Sequence, residues 1–315
     1  MLSDFDRLTD FIASQPPAGT SEALETLTEK LRRKYGKARK AILFYGSCRR
    51  GGDHFDGLLD LYLIVDNYSA AYRSRWLALC NRLLPPNVFY LECRIEQRTV
   101  RCKYAILTLK DFERGCGKWF HPYLWGRFSQ PTVILQSSSE RVRKALDRAR
   151  ATAIVRFVDA VLPCLPATFT SQMLWSLGLD LSYASELRPE RPGKGKRLYL
   201  ADRDYYDRIT PVAIGISRFS VSSTPGTEFS FTSKIPSAYR ENARKAWKVR
   251  SLQGKILSIL RLLKAFTTFH GGPDYIAWKI ERHSGYAMSP PSGRNHNLSS
   301  LSRALWRAWR KQAFR

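Results

Sequence analysis

The chain has 315 residues, of which 44% are hydrophobic and 25% charged, a composition that is typical of folded globular proteins and excludes a disordered chain. Lys and Arg number 52 against 27 Asp and Glu, so the formal net charge of +25 predicts an anionic partner: nucleic acid, nucleotide or anionic lipid. No stretch offers the ~20 apolar residues that a membrane-spanning helix needs. The N-terminal residues show neither a secretory signal nor an Arg-rich transit pattern.

Residues 1–137 predict a mixed α/β domain. A helix is expected over residues 21–35, because Thr20 or Ser21 can cap it and Gly36 can end it. The six cysteines lack zinc spacing with the histidines, so we expect reduced thiols in a cytosolic compartment. The further predicted elements are strands over 41–45 and 58–65, a helix over 69–84 that Pro85-Pro86 ends, and a hairpin over 87–95 and 98–107.

Residues 138–284 predict a mostly helical second domain, and residues 285–315 a linker with a final helix. Helices are expected over 139–162, 171–187 and 241–267. Between them, residues 188–197 predict a basic Gly/Pro loop, and the Ser/Thr/Pro-rich residues 211–240 predict strand and loop.

A Gly-Ser turn followed by an acidic strand is the strongest chemical motif. FYGS at 44–47 closes one apolar strand, and Asp60 lies inside the next, LLDLYLIVD. A glycine lets the backbone approach a triphosphate, while a hydroxyl and nearby amides bind phosphate oxygens. A carboxylate within an apolar strand is costly without a partner, which favours a Mg²⁺ ligand over a structural acid. This is the skeleton of a polymerase-β-type nucleotidyltransferase.

The usual Asp-x-Asp pair of that superfamily is incomplete here. The position two residues after Asp60 is Tyr62. Asp66 is the next acid with even spacing, about 20 Å further along an extended strand. It can bind the same metal only if the chain turns after Val65, and it is otherwise an ordinary strand-end acid.

Several ordered segments resemble the mitochondrial-type phosphatidate cytidylyltransferases, also called mitochondrial translocator assembly and maintenance proteins. The chain departs from that family at Cys48, where Gly is frequent, and at Glu186, where the family has Asp. The shared segments are YGS at 45–47, LLDLYLIVDN at 58–67, RCKYAILT at 101–108, LWGRFSQPTVIL at 124–135, LSYASELR at 181–188 and KAFTTFHGGPDYIAWKI at 264–280.

The resemblance implies a nucleotidyltransferase domain and a winged-helix-like domain with the active site between them, using CTP, phosphatidate and Mg²⁺. Catalytic roles fall to Asp60, Lys103 and Glu186, with Asp60 and Asp66 at the metal. Lys103 and Tyr104 are expected to face the cleft. Substrate contacts are expected from Gly46, Ser47, Tyr104, Arg127, Ser182, Tyr183, Arg188, Lys194 and Lys196.

Plainer interpretations stay open for some of these residues. Lys194 and Lys196 can belong to a solvated loop, and Arg127 can be a surface cation packed on Trp125. The nucleophile, a phosphate monoester oxygen, is ionised near neutral pH. The reaction therefore requires positioning and charge neutralisation rather than a catalytic histidine.

The C-terminal segment LSSLSRALWRAWRKQAFR predicts an amphipathic helix for an anionic membrane surface, with docking on the protein itself as the alternative. Leu298, Ala308 and Ala313 share the apolar face, and Lys311 and Arg315 the basic one. The residues expected at the membrane are Leu301, Leu305, Trp306 and Trp309 on the apolar side, and Arg303, Arg307 and Arg310 on the basic side.

Two rival functions remain from the sequence: a nucleotidyltransferase acting on RNA, a protein or a small molecule, and a nonenzymatic nucleic-acid or membrane-binding protein that lost the metal site. The high positive charge suits RNA, but nothing in the motifs makes nucleic acid an obligate partner. No motif indicates an oligomeric state. The expected location is the cytoplasmic face of a bacterial inner membrane, with the mitochondrial inner membrane as the alternative.

Overall fold

A five-stranded mixed sheet organises the first half of the chain. The computed structural model describes residues 3–16, 21–51, 53–187, 193–224 and 229–268. The strand order is β3-β4-β2-β1-β5, with β2 and β4 parallel and the other neighbours antiparallel. The strands are β1 (Arg39–Tyr45), β2 (Leu58–Val65), β3 (Asn87–Ile95), β4 (Arg98–Thr108) and β5 (Val133–Ser137).

Polar side chains cap five of the six helices of this half, and the cap predicted for the helix over 21–35 is present. Ser21 Oγ accepts the amide N–H of Leu24, and Gly36 ends the helix. The helix predicted over 69–84 is instead two helices, because Asn67 caps one and Ser74 caps the next. The helices are α1 (Asp4–Ala13), α2 (Glu22–Tyr35), α3 (Tyr68–Ala71), α4 (Arg75–Leu83), α5 (Leu109–Gly117) and α6 (Trp125–Phe128).

The second half is mostly helical and carries a small antiparallel sheet. The long helices predicted over 139–162, 171–187 and 241–267 are present. The sheet has the strand order β6-β8-β7. The elements are α7 (Glu140–Val161), β6 (Thr168–Thr170), α8 (Ser171–Ala184), α9 (Lys194–Ala201), α10 (Arg203–Ile216), β7 (Val221–Ser223), β8 (Ser230–Ser233) and α11 (Ser237–Thr268).

Two predictions for this half are wrong in detail. Lys194 and Lys196 do not lie in a loop, because they occupy the first turn of α9. Strand and loop were predicted from residue 211 onward, but the first residues of that stretch are the end of α10 (Arg203–Ile216), which contains Pro211. Tyr206, Ile209 and Ala213 recur at helical spacing and are buried, so their packing outweighs the proline's missing N–H.

The two faces of the large sheet pack against different helices. Leu61 and Tyr104 point to the face that α2 covers. Tyr62 and Ala105 point to the opposite face, where the core continues into the helices of the second half. The predicted mixed α/β class is confirmed, whereas the boundary at residue 138 stays a prediction. The predicted linker and C-terminal amphipathic helix lie outside the described residues.

Candidate functional site

Asp60 lies near the start of β2, between two neighbouring strands. Its register partners are Tyr45 on β1 and Lys103 on β4. Lys103 Nζ is 3.2 Å from Asp60 Oδ1, and both side chains keep about a quarter of their surface exposed, 24% and 26%. The sheet therefore brings a carboxylate and an ammonium to one accessible point, as charge chemistry on a phosphate requires.

The Gly46 turn approaches Asp60 closely. Gly46 has φ of +91°, a conformation that favours glycine, and a Cβ added there would lie 3.0 Å from Asp60 Oδ2. Ser47 follows as an exposed residue at the start of a short 3-10 helix, Ser47–Arg50. The turn predicted to hold phosphates is thus directly beside the carboxylate.

Two arginines tie this turn to the second half of the molecule. Arg49 and Arg50 both form ion pairs with Asp202, which lies between α9 and α10. The Arg50–Asp202 distance is 3.2 Å, and the Asp202 side chain is only 11% exposed. The sequence motifs gave no indication of this contact, because its partners are more than 150 positions apart.

Arg127 connects the Asp60 face of the sheet to Glu186. Its guanidinium donates to the Tyr62 hydroxyl at 2.8 Å and to Glu186 Oε1 at 2.6 Å. It also lies over the rings of Tyr45 and Tyr123, at 5.4 and 4.5 Å from the centroids. Burial disfavours its charge, but the surrounding phenols and Glu186 outweigh that cost and hold the pKa of Arg127 above its ordinary value. Arg127 is therefore an internal cation, not a surface cation on Trp125.

Ser182, Tyr183 and Lys194 assemble around α6 and the end of α8. A Cβ at Gly126 would lie 2.1 Å from Ser182 Oγ, so this glycine permits the close approach of α6 to α8. The Tyr183 hydroxyl donates to Gln130 Oε1 at 3.4 Å. Lys194 Nζ lies 3.7 Å from the centroid of the Tyr183 ring. Lys196 is exposed on α9, and Arg188 lies outside the described residues.

Tyr104 does not face the cleft beside Lys103, so that expectation is wrong. Neighbouring residues on a strand point to opposite faces of the sheet. Tyr104 is fully buried beneath α2, where Lys34 Nζ is 2.9 Å and the Tyr35 hydroxyl 3.1 Å from its own hydroxyl. Its burial raises the pKa of the phenol. Tyr104 is thus a core residue on the other side of the sheet.

Asp66 does not join Asp60 at a metal, so this prediction is also wrong. β2 runs without a turn from Leu58 to Val65, which separates the two acids by about 20 Å. Asp66 instead lies 3.4 Å from Lys40 Nζ and is 59% exposed. Within the described ranges, no group of three or more His, Cys, Asp or Glu side chains could hold a metal ion.

Helix α11 supplies two side chains, Arg261 and Ser258, that the sequence motifs did not indicate. Arg261 lies over the Tyr123 ring at 4.1 Å and donates to the Pro85 carbonyl at 3.0 Å. A small cavity beside Glu186 is lined by Arg261, His121, Ser185 and Ser258, among others. Burial, followed by the Arg261 charge, lowers the pKa of His121 to about 4, so this histidine is neutral at physiological pH.

These contacts define a class of site: an acid, two or more cations and a glycine turn on a mixed α/β sheet, a set suited to chemistry on phosphate groups. The comparison with protein families narrows the class. The family model for mitochondrial phosphatidate cytidylyltransferase matches residues 66–197 of the chain. No curated protein matches the chain.

The family match confirms the resemblance over less than half of the chain, and its limits are informative. Phosphatidate cytidylyltransferases are nucleotidyltransferases that make CDP-diacylglycerol, so the match supports such an enzyme at the level of the family. Lys103, Arg127 and Glu186 lie within the matched residues, whereas Gly46 and Asp60 precede them. The family's description is mitochondrial and gives no support to the bacterial location expected from the sequence.

Proposed function

We propose that this protein is a CTP:phosphatidate cytidylyltransferase that converts CTP and phosphatidate into CDP-diacylglycerol and pyrophosphate. The observation that carries the proposal is the family match over residues 66–197, which contains Lys103, Arg127 and Glu186. The contacts of these three residues converge on the sheet face that presents Asp60. Asp60, which precedes the matched residues, therefore belongs to the same cluster as the three residues within them.

The proposed reaction is a substitution at the α-phosphorus of CTP. A phosphate oxygen of phosphatidate forms a bond to that phosphorus, and the bond to the oxygen bridging the α- and β-phosphates breaks. Pyrophosphate carries away the electron pair. The attacking oxygen needs no proton removed when it is already ionised, so the protein's task is to orient the phosphates and neutralise their charge.

Each group of the cluster has a specific task in this proposal. The open backbone at Gly46 and the exposed hydroxyl of Ser47 would accommodate the triphosphate beside Asp60. Lys103 is the nearest ammonium to that point. Arg127 and Glu186 would hold the two halves of the molecule in register, because their ion pair is only 10% and 13% exposed.

Asp60 would hold Mg²⁺, which would supply charge neutralisation to the phosphates when bound. The donor set fits this ion, since Mg²⁺ commonly takes only one or two carboxylates and completes its shell with waters and substrate phosphates. Asp60 is half-buried and keeps an exposed edge that such an ion can reach.

The proposal also includes the type of each domain and the location of the protein. A polymerase-β-type domain is supported by the Gly46–Asp60 turn on a mixed sheet, and a winged-helix-like domain by the small sheet beside α8. The proposed location is a membrane surface, reached through the amphipathic segment at 298–315. None of the described helices is long and apolar enough to cross a bilayer. The proposed membrane is the bacterial or the mitochondrial inner membrane, and the family's description supports the mitochondrial one.

The direct test supplies the full-length protein with α-labelled CTP, Mg²⁺ and phosphatidate in detergent micelles, then separates lipid products and measures pyrophosphate. We expect labelled CDP-diacylglycerol and an equal amount of pyrophosphate, both abolished by EDTA. Label on RNA, protein or a small molecule instead would identify another nucleotidyltransferase. Neither product, together with metal-independent nucleotide binding, would indicate a nonenzymatic protein.

A further inference from the structure

Helix α11 turns an apolar stripe away from the protein. Seven of its aliphatic side chains are between 45% and 63% exposed, and six of the seven, all but Leu262, lie on one side of the helix. At 100° per residue they fall within a narrow arc, and they extend along about 21 Å of the helix at 1.5 Å per residue. The stripe consists of Val249, Leu252, Ile256, Ile259, Leu260 and Leu263.

The opposite side of α11 is the one that packs on the molecule. Trp247 is buried and donates to the Ala160 carbonyl at 2.9 Å. A Cβ at Gly254 would lie 2.2 Å from the Ser185 carbonyl oxygen, so the helix backbone rests against the end of α8. The helix therefore buries Trp, Gly and Arg and exposes Leu and Ile, the reverse of an ordinary surface helix.

A second exposed apolar stripe lies on α4. Trp76, Leu79 and Leu83 are 56%, 45% and 74% exposed and share one helix face. Arg261 of α11 donates to the Pro85 carbonyl, and Lys264 donates to the Pro86 carbonyl at 2.8 Å. These bonds join the segment that follows α4 to α11, so the two stripes lie on neighbouring parts of the fold. Monomeric soluble proteins rarely leave large exposed apolar patches without a partner.

The charges around the two stripes have one sign. Residues 67–91, which include α4, contain no acidic residue, and α11 contains only Glu241. On a helical wheel with 100° per residue, Lys248 and Lys255 line one edge of the α11 stripe, and both are exposed. Arg75 and Arg82 are also exposed and line one edge of the α4 stripe. An apolar face of Leu, Ile or Trp with cations beside it is typical of a helix that lies in a membrane interface.

We propose that the paired stripes of α4 and α11 are a docking surface for an anionic lipid bilayer. Two other occupants are conceivable, a second copy of this chain and the chain's own residues 269–315. Both carry a net positive charge and would be repelled by the flanking cations. An anionic bilayer satisfies both the apolar stripes and the charge, because it attracts each cation near its surface.

This surface is distinct from the tail predicted at 298–315 and does not depend on the proposed activity. It would add a contact made by two helices of the fold to the one predicted for that tail. Gly254 on α11 rests on Ser185, the residue next to Glu186, so the docked helix would also place the candidate site close to the bilayer. Binding to vesicles can therefore be measured without substrate and judged separately from catalysis.

The test is co-sedimentation of the full-length protein with vesicles of phosphatidylcholine mixed with phosphatidylglycerol, and with phosphatidylcholine alone. We expect the variants Leu79→Ser/Leu83→Ser and Leu252→Ser/Ile256→Ser each to bind mixed vesicles about tenfold more weakly. Their melting temperatures should be unchanged, because these side chains are exposed. The matched control is Met173→Ser/Leu200→Ser, which alters exposed apolar residues elsewhere, at 40% and 53% exposure, and should bind normally.

Charge and competing occupants give the remaining outcomes. Lys248→Glu/Lys255→Glu should weaken binding to mixed vesicles and leave the small binding to neutral vesicles unchanged. Unaltered vesicle binding by both serine variants would overturn the proposal. So would a serine variant that converts a dimer to a monomer in sedimentation velocity, which would make the surface a self-interface. Increased proteolysis within residues 269–315, with vesicle binding intact, would show that the surface holds the protein's own tail.

Discussion

The two ends of β2 carry the same acidic residue in different environments. Asp60, near the start, lies beside Gly46 and 3.2 Å from Lys103, with 26% of its side chain exposed. Asp66, just past the end, lies 3.4 Å from Lys40 and is 59% exposed. An exposed pair of the second kind contributes about 0–1 kcal/mol to stability. Each aspartate has one lysine, so the difference between the two ends comes from what the sheet places around each pair.

Asp60→Asn tests the comparison most strongly, with Asp66→Asn as the matched control on the same strand. The amide keeps the size of the side chain but is a poor Mg²⁺ ligand and cannot carry charge. We expect Asp60→Asn to lower kcat/KM for CDP-diacylglycerol formation by about 10³-fold or more. Asp66→Asn should change it less than about twofold, because its pair is solvent-screened.

Circular dichroism and thermal melting should show that both asparagine variants fold. Equal activities of the two variants would mean that the two ends of β2 do not differ in function. A normal rate for folded Asp60→Asn would remove this residue from the site altogether.

Replacing the lysine partners of the two aspartates, Lys103 and Lys40, should lower kcat/KM by less than the Asp60 substitution does. Lys103→Met should lower kcat/KM by about 10²-fold, because it removes the ammonium closest to Asp60 while keeping the apolar stem. Lys40→Met should have almost no effect on kcat/KM and should change the unfolding free energy by less than about 1 kcal/mol. Steady-state kinetics with varied CTP and urea denaturation measure both. Similar activity losses in both variants would point to a general charge effect instead of a local one.

Gly46 and Gly51 both have a positive φ, so comparing them distinguishes the effect of backbone strain from the effect of contact with Asp60. Gly46 and Gly51 have φ of +91° and +114°, so alanine at either should lower the unfolding free energy by about 1–2 kcal/mol. Only at Gly46 would the added Cβ meet Asp60, since nothing lies within 4 Å at Gly51. We expect Gly46→Ala to lower kcat/KM about tenfold and Gly51→Ala to leave it within about twofold.

Thermal melts and kinetics on the two alanine variants distinguish these effects. If Gly51→Ala reduces turnover as much as Gly46→Ala does, the loop matters through its conformation and not through its contact with Asp60.

Local patterns were enough to predict much of the fold. The Ser21 cap and the Gly36 end set α2, and the alternation over 87–107 set the β3–β4 hairpin. α9 was missed because the Gly/Pro-rich composition of 188–197 predicts a loop, whereas Gly195 is needed for close packing. A Cβ there would lie 2.1 Å from the Ser176 carbonyl oxygen. That reason lies in a neighbouring helix and is not visible in the local sequence.

The candidate site likewise combines residues that the local sequence indicates with residues that only distant contacts bring together. Gly46, Asp60 and the absence of a second acid at Tyr62 were readable, because a charged residue in an apolar strand stands out. The side of the sheet on which Lys103 and Tyr104 lie follows from strand alternation, but which side is the cleft depends on where the helices pack. The role of Arg127 depended on distant partners, since Glu186 and Tyr62 lie 59 and 65 positions away.

By itself the sequence determined the elements with strong local signals, the acid on β2 and the basic character of the chain, because caps, periodicity and charge act over a few residues. Only the tertiary structure decided that Asp66 is far from Asp60, that Arg127 lies inside the protein and that α11 turns its leucines outward. These outcomes depend on which surfaces meet when the helices pack on the sheet. Helical periodicity identifies an apolar stripe but does not say whether protein, lipid or water lies against it.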